Sequence, residues 1–398
     1  MKRPFIGLVA LGSSAALLLA GCSGTSEDAA TASGDDPINI TLVYGQTGQF
    51  SSFTGNLRKG VDAAVEAINA DGGVNGRMIE VLALDDGSDP TQAVSVLTES
   101  IDSGGLPDAV IPGSVSNEAL ALLPLTTEDE LFTSTSATNP LVNDPSTYPF
   151  VFGNSATQAD LVASVVTELK ADGVKKLGVV TSGDAFGDSV SSGMQDAAEA
   201  AGIEIVDVER PDPAALNLTV EMQRVQAADP DAIYFEFTGY DTIARALEAR
   251  VAVGATDIPI YGGASVASSP IATLVSEEAL EGCQAPASNF TIKQEQEPDY
   301  LAPLYEAFAG GNQSVATGGY GWDAIHLIAL AFERAGDDTS AQALTDAIVS
   351  EDVPADYLAF FPTGTSYTAD YRFPELREGS LTLIPCDSEK VDGLYVVD

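Results

Sequence analysis

Residues 38–44 (INITLVY) gather β-branched and aromatic side chains up to Gly45, which reads as a strand. After a Gly- and Ser-bearing loop, Val61, Ala64, Val65 and Ile68 fall on one helical stripe. The run Asp71-Gly72-Gly73-Val74-Asn75-Gly76 then breaks the chain, so residues 78–84 read as the next strand and 85–90 as its exit loop. Asp89-Pro90 opens a helix over 91–103, with proline where its missing N–H costs nothing. A short strand at 109–112 and a helix at 117–125 continue the rhythm.

The same alternation returns further on. Helices are predicted over 158–171, 188–201, 218–227 and 243–253, with strands over 176–181, 204–209, 232–237 and 259–261. Strands alternating with helices imply parallel sheets covered on both faces, and two such series divided near 152–157 imply two α/β lobes. After Cys283 the chain holds a long apolar helix over 322–335 behind a Gly-rich loop, then irregular sequence with strand-like pieces. This stretch is too short for a third lobe and is expected to complete the first two. The expected division is 37–153 plus 286–378 for one lobe and 154–285 plus 379–398 for the other.

The N-terminus has a different pattern. Lys2 and Arg3 precede an uncharged run over 5–20, short of the ~20 residues of a spanning helix, so 1–21 reads as a signal peptide. It ends Leu19-Ala20-Gly21-Cys22, which resembles the lipobox of bacterial lipoproteins, whose Cys is acylated and becomes the new N-terminus. The plainer reading is a secretory signal with an incidental Cys. Residues 22–36, small, polar and acidic, read as a flexible tether. The expected product is exported and held by lipid on Cys22 to the outer face of the bacterial cell membrane.

Charge narrows the partners. Lys and Arg number 17 against 59 acidic residues, a formal charge of -42, which repels nucleic acid and anionic headgroups. Past the tether only Cys283 and Cys386 remain, and in an exported chain they can form a disulfide or stay as two thiols.

Catalytic apparatus is hard to find. The sole histidine, His326, sits inside the apolar 322–335 helix, where a structural role is expected. There is no GxSxG elbow, no Gly-Lys phosphate loop, and no GxGxxG after a strand. Asp85, Asp86 and Asp89 break into Pro90 where an EF-hand would continue, so they read as solvated strand-exit carboxylates. No metal, no cofactor and no enzymatic activity are expected. Binding has more support, because four loops at strand ends are rich in Ser, Thr and Gly: 45–48, 113–116, 134–138 and 181–184. Such loops lead into helix N-termini and can close around a carboxylate or other small polar group, although turn propensity alone would also account for them.

The order of motifs resembles the type I periplasmic binding proteins, in particular the branched-chain amino-acid receptors of ABC transporters. Gly45-Gln46-Thr47-Gly48, Ala67-Ile68-Asn69 with Gly72-Gly73-Val74-Asn75-Gly76, Asp85-Asp86 with Asp89-Pro90, Ser136-Ala137-Thr138-Asn139-Pro140, Asp184-Ala185-Phe186-Gly187, Pro230-Asp231-Ala232 and Trp322-Asp323-Ala324 carry it. The resemblance runs from about residue 38 nearly to the C-terminus. It implies two lobes joined by three crossovers, closing over a ligand that is delivered to a membrane permease. It further implies that Ser114, Ser136 and Thr138 meet a ligand carboxylate, that Phe186 covers the ligand, that Thr238 and Tyr240 in the segment 237–240 contact it, and that Phe53 stands at the mouth. One position departs. Ala264 and Ser265 stand where amino-acid receptors carry the acid that pairs with the ligand ammonium, so either Glu236 or Asp184 replaces that acid or the ligand is an amide, a urea-like compound or a small organic or aromatic acid. Two other classes stay open: a ligand-sensing module of a signalling system and a carboxylate-only hydrolase.

Overall fold

The computed structural model describes residues 36–113, 115–268, 270–311, 313–374 and 380–397; Cys22 and Ser114 lie outside the described residues. The first lobe is laid down as β1 (Ile38–Tyr44), α1 (Ser51–Ala70), β2 (Ile79–Asp85), α2 (Pro90–Gly104), β3 (Ala109–Ile111), α3 (Ser116–Glu128), β4 (Phe132–Thr135) and β5 (Val151–Gly153). Its strands form one parallel sheet in the order β2-β1-β3-β4-β5. Alternation along β1 decides which side chain goes where. Ile38, Ile40 and Leu42 enter a core shared with Leu57 and Val61 of α1, while Val43 faces Ala93 and Leu97 of α2 and Leu122 of α3.

The second lobe follows as α4 (Gln158–Ala171), β6 (Lys176–Thr181), α5 (Ala185–Ala201), β7 (Glu204–Glu209), α6 (Thr219–Ala227), β8 (Ala232–Glu236), α7 (Tyr240–Ala252), β9 (Ile260–Gly262), α8 (Ala264–Ser268), α9 (Glu277–Leu280) and β10 (Cys283–Ser288). These strands and β11 (Leu381–Pro385) form a sheet ordered β11-β10-β9-β8-β6-β7, with only β11 antiparallel to its neighbour. Along β8, Ile233 and Phe235 pack towards α6 and α7, while Ala232 and Tyr234 pack towards α4 and α5. Cys283 and Cys386 form a disulfide between the start of β10 and the residue after β11.

The chain returns to the first lobe after β10 as α10 (Ala302–Phe308), α11 (Val315–Ala335) and α12 (Ala341–Val349). Leu304, Phe308, Ile325, Ile328, Leu344 and Ile348 join the core of Ile40 and Leu42. It crosses again before β11, and a closing hairpin, β12 (Lys390–Val391) and β13 (Leu394–Tyr395), buries Leu394 in the first lobe's core and Tyr395 in the second's.

Two differences from the sequence reading stand out. The stretch after residue 335, expected to be irregular, contains α12, and α10 forms ahead of the Gly-rich segment, where no element was expected. The Gly-rich segment expected as a loop before residue 322 is instead the first two turns of α11, with the Ser314 hydroxyl capping the Thr317 N–H at 3.2 Å. Glycine inside a helix is unfavourable by ~1 kcal/mol against alanine, so something must offset it. The offset is contact with α1: a Cβ on Gly60 would stand 1.8 Å from the Gly318 carbonyl oxygen, and one on Gly321 would stand 2.1 Å from that of Leu57. The two helices meet backbone to backbone. Gly60→Ala is therefore expected to separate them and lower stability by ~1–3 kcal/mol, read from the urea midpoint; an unchanged midpoint would remove this account of the glycines.

Candidate functional site

A cavity of about 570 Å³, part of it open to solvent, lies between the lobes at the carboxyl ends of both sheets. The first lobe contributes Phe53 from α1, Val115 and Ser116 at the start of α3, Ser136 and Thr138 just past β4, and Tyr320 of α11. The second contributes Gln158 and Leu161 of α4, Phe186 of α5, Glu236 at the end of β8, the following Phe237, Thr238 and Gly239, and Ala264 and Ser265 of α8.

Polar groups are placed unevenly. The Ser116 and Ser136 hydroxyls are buried and make no hydrogen bond within the protein. They stand beside the N-terminus of α3, whose first-turn N–H groups favour negative charge. Two other lining hydroxyls are committed: Thr138 donates to Gln158 Oε1 at 3.0 Å, and Thr238 donates to Asp184 Oδ2 at 2.9 Å. The end of the cavity at Ser116 and Ser136 thus combines unpartnered hydroxyls with the start of α3.

Among the described residues, Glu236 is the only charge-bearing side chain on the lining. Like Tyr234 two residues earlier it projects from one face of β8, and the Tyr234 hydroxyl donates to its Oε2 at 3.0 Å. The Ser265 N–H donates to Oε1 at 3.0 Å. Its carboxylate lies across Gly263, where a Cβ would come within 0.8 Å of Oε2. Burial raises its pKa to about 7, against the lowering effect of the Ser265 and Tyr234 hydrogen bonds.

Of the residues predicted from sequence, Phe53, Ser136, Thr138, Phe186 and Thr238 line the cavity, and Ser114 lies outside the described residues. Tyr240 does not line it. Its ring packs edge-on behind Phe53 at 5.7 Å and its hydroxyl pairs with Thr317 of α11 at 2.5 Å, so it joins the lobes. The Asn139 amide donates to the Ala185 carbonyl at 2.9 Å and the Ala185 N–H donates to Asn117 at 3.1 Å, which adds to the same closure. Asp184 is occupied in capping α5 through Gly187 and in holding Thr238. Burial raises its pKa. The 45–48 loop is tied down by Asp85, which accepts from the Thr47 N–H and hydroxyl at 3.0 and 2.8 Å. Asp89 caps α2. Asp86 corrects the solvated reading: it is 2% exposed, its Oδ1 accepting the Ser88 N–H at 2.8 Å. His326 is half-buried against Trp322, hydrogen-bonded to that residue's carbonyl, and desolvation pushes its pKa down to about 4.

Ser116, Gln158 and Tyr320 were not singled out from the sequence. Ser116 had a signal, since it belongs to the 113–116 loop. Tyr320 had none, being hidden in the glycine run.

Two α/β lobes closing on a cavity at their strand ends define a two-lobed solute-binding protein. Residues 37–374 match the family model described as periplasmic binding protein, and the chain belongs to that family. It is an exported solute-binding protein of the kind that serves ABC transporters. It is 27% identical over 312 residues to the leucine-, isoleucine-, valine-, threonine- and alanine-binding protein of Pseudomonas aeruginosa, covering 76% of this chain and 79% of that one. It is 23% identical to a Leu/Ile/Val-binding protein homolog of Brucella melitensis, over 78% of this chain and 83% of the relative. Among solved structures, a solute-binding protein of an ABC transporter from Rhodopseudomonas palustris in complex with 4-hydroxybenzoate superposes with a TM-score of 0.75 at 18% identity, over 91% of this chain and 95% of that one. Another from the same species, in complex with 3,4-dihydroxybenzoic acid, gives 0.76 at 20% identity, over 91% of this chain and 95% of the other. At that identity the likeness is one of fold.

Glu236 also sets a pH dependence. Its folded pKa, about 7, lies above the ordinary 4.5, so the folded state holds the proton more tightly. Stability from that proton is complete below pH 4.5 and lost as pH rises through about 7. The melting temperature of the ligand-free protein is expected to fall across this window, and Glu236→Gln to flatten part of the fall; an identical slope in the variant would contradict the assignment.

Proposed function

We propose that this chain captures an α-amino acid with an apolar side chain and passes it unchanged to an ABC permease. The reading is carried by one observation: Glu236 reaches the cavity from the second lobe, while unpartnered Ser116 and Ser136 hydroxyls and the α3 N-terminus face it from the first. An amino acid has a negative and a positive end for these two poles, and Phe53, Leu161, Phe186, Phe237 and Tyr320 surround an apolar side chain. A ligand ammonium would hold Glu236 ionised and repay its burial. Glu236 then does the work of the acid absent at Ala264 and Ser265. The binding specificity of the Pseudomonas aeruginosa relative points the same way.

One observation favours an aromatic acid instead. A Glu236 carboxyl with a pKa of about 7 can stay protonated and donate to a ligand hydroxyl, and the fold relatives were crystallised with hydroxybenzoates. Calorimetry with leucine, isoleucine, valine, alanine and 4-hydroxybenzoate separates the two. The amino acids are expected to bind. Glu236→Gln is expected to weaken them by roughly 10- to 100-fold, the loss of a charged hydrogen bond, and Gly263→Ala to do the same by displacing the carboxylate. Binding of hydroxybenzoate alone would replace this reading with the aromatic one.

We further propose that lipid on Cys22 holds the receptor beside its permease, raising its local concentration there. Cys22→Ala is expected to release the protein from the membrane fraction, seen by immunoblot, with ligand affinity unchanged; retention in the membrane would sink the anchor.

A further inference from the structure

A second, narrow pocket lies in the first lobe, its roughly 200 Å³ partly open to solvent, and Val115 lines both it and the ligand cleft. Its walls include Tyr44 and Gly45 at the end of β1, Pro112 and Gly113 after β3, and two acids, Asp86 and Glu118. Asp86 is 2% exposed and Glu118 is 3% exposed. Asp86 Oδ1 accepts the Ser88 N–H at 2.8 Å, whereas Glu118 Oε2 has no hydrogen-bond partner. The charges acting on them are all negative: Asp85 and Asp89 on Asp86, and Asp86, Asp184 and Asp89 on Glu118. Among the described residues no Lys or Arg makes an ion pair with either acid.

Two buried carboxylates of like charge with no counter-charge are unfavourable unless protons or a cation neutralise them. The pKa values of both are raised chiefly by burial, to about 6 for Asp86 and about 7 for Glu118, so protonation alone would leave charge on at least one near neutral pH. The surroundings suit a cation. Asp86 and Glu118 offer carboxylate oxygens, while the Ser88 hydroxyl is already held between the Thr47 carbonyl and the Phe50 N–H, and the Gly45 and Gly113 carbonyls on the same walls each accept one side-chain hydroxyl, from Thr54 and Thr135. No His or Cys is present on the walls, which disfavours zinc, and an irregular set of oxygens suits the flexible shell of calcium better than the strict octahedron of magnesium.

We propose that this cavity is a calcium-class cation site in which Asp86 and Glu118 are the charged ligands. The ion would tie the β2–α2 turn to the first turn of α3. That turn begins at Ser116, so occupancy would also fix one wall of the ligand cleft. With only two carboxylates the affinity is expected to be weak, on the order of 10⁻⁴–10⁻³ M. The cation assignment requires nothing of the ligand's identity.

The test is calorimetric and thermal titration of the chelator-treated, ligand-free chain with CaCl2 at constant ionic strength. One saturable site that raises the melting temperature is expected. Glu118→Gln and Asp86→Asn should each weaken it at least tenfold, while Asp71→Asn, on the exposed surface, leaves it intact. Equal titration of wild type and Glu118→Gln would show cation screening of the acidic surface and overturn the site. Should either variant fold poorly, terbium supplies a readout in the unaltered cavity. Emission sensitised through Tyr44 should appear with Tb³⁺, be chased by Ca²⁺, and be lost in Tyr44→Phe while the Ca²⁺ titration survives. Emission indifferent to Tyr44→Phe would place the ion elsewhere.

Discussion

The backbone contact between α1 and α11 is the constraint on which the cleft depends. α1 begins with the turn that carries Phe53, and α11 carries Thr317 and Tyr320 among its glycines. Because Gly60, Gly318 and Gly321 let the helices touch, Phe53 and Tyr320 line the cavity while Thr317 meets Tyr240 of the other lobe. Side chains in place of these glycines would push the helices apart, and the wall of the cleft and the partner for Tyr240 would move together. Packing density here is a positional requirement as much as a source of stability.

The chain carries its negative charge mainly outside, and the few acids it buries differ in how they are satisfied. Asp323 accepts the Ala359 and Phe360 N–H groups at 2.6 and 3.1 Å; burial raises its pKa to about 8, and it serves to hold a loop. Asp184 is spent on a helix cap and a threonine. Glu236 has two donors yet still faces open volume. Glu118 keeps an oxygen with no partner at all. Since unsatisfied buried charge is the costliest polar feature a fold can carry, the acids left least satisfied are those for which an external partner is the simplest explanation.

Much of this was legible beforehand because it rests on local rules. The β-rich run at 38–44, the Asp89-Pro90 helix start and the alternation of strands with helices each follow from short stretches of sequence, and the motifs shared with a known family point to Ser136, Thr138 and Phe186. What was hidden depends on contacts between distant segments. β4 reads as a polar FTST but is wholly buried, its threonines and serine shielded by neighbouring strands. The glycines of α11 look like a loop until α1 is laid against them. Tyr240 looks like a ligand contact because the segment 237–240 matches one in the resembled family, and only the position of Phe53 shows that it stands one layer back. Glu236 was visible as a candidate acid, but that its carboxylate lies over Gly263 could not be read from spacing.

Closure in this structure is held in part by groups that do not touch the cavity: Tyr240 with Thr317, Asn139 with Ala185, and Ala185 with Asn117. These bonds favour the closed state whether or not a solute is inside. A ligand shifts the balance only through contacts that the open state lacks. On the amino-acid reading proposed above, those are the contacts made to both lobes at once, with Ser116 and Ser136 on one side and Glu236 on the other. A molecule held by one pole alone would bind without strongly favouring closure, whereas one that spans both would bind and close together. Discrimination between solutes and the closed shape offered to a permease therefore come from the same pair of poles.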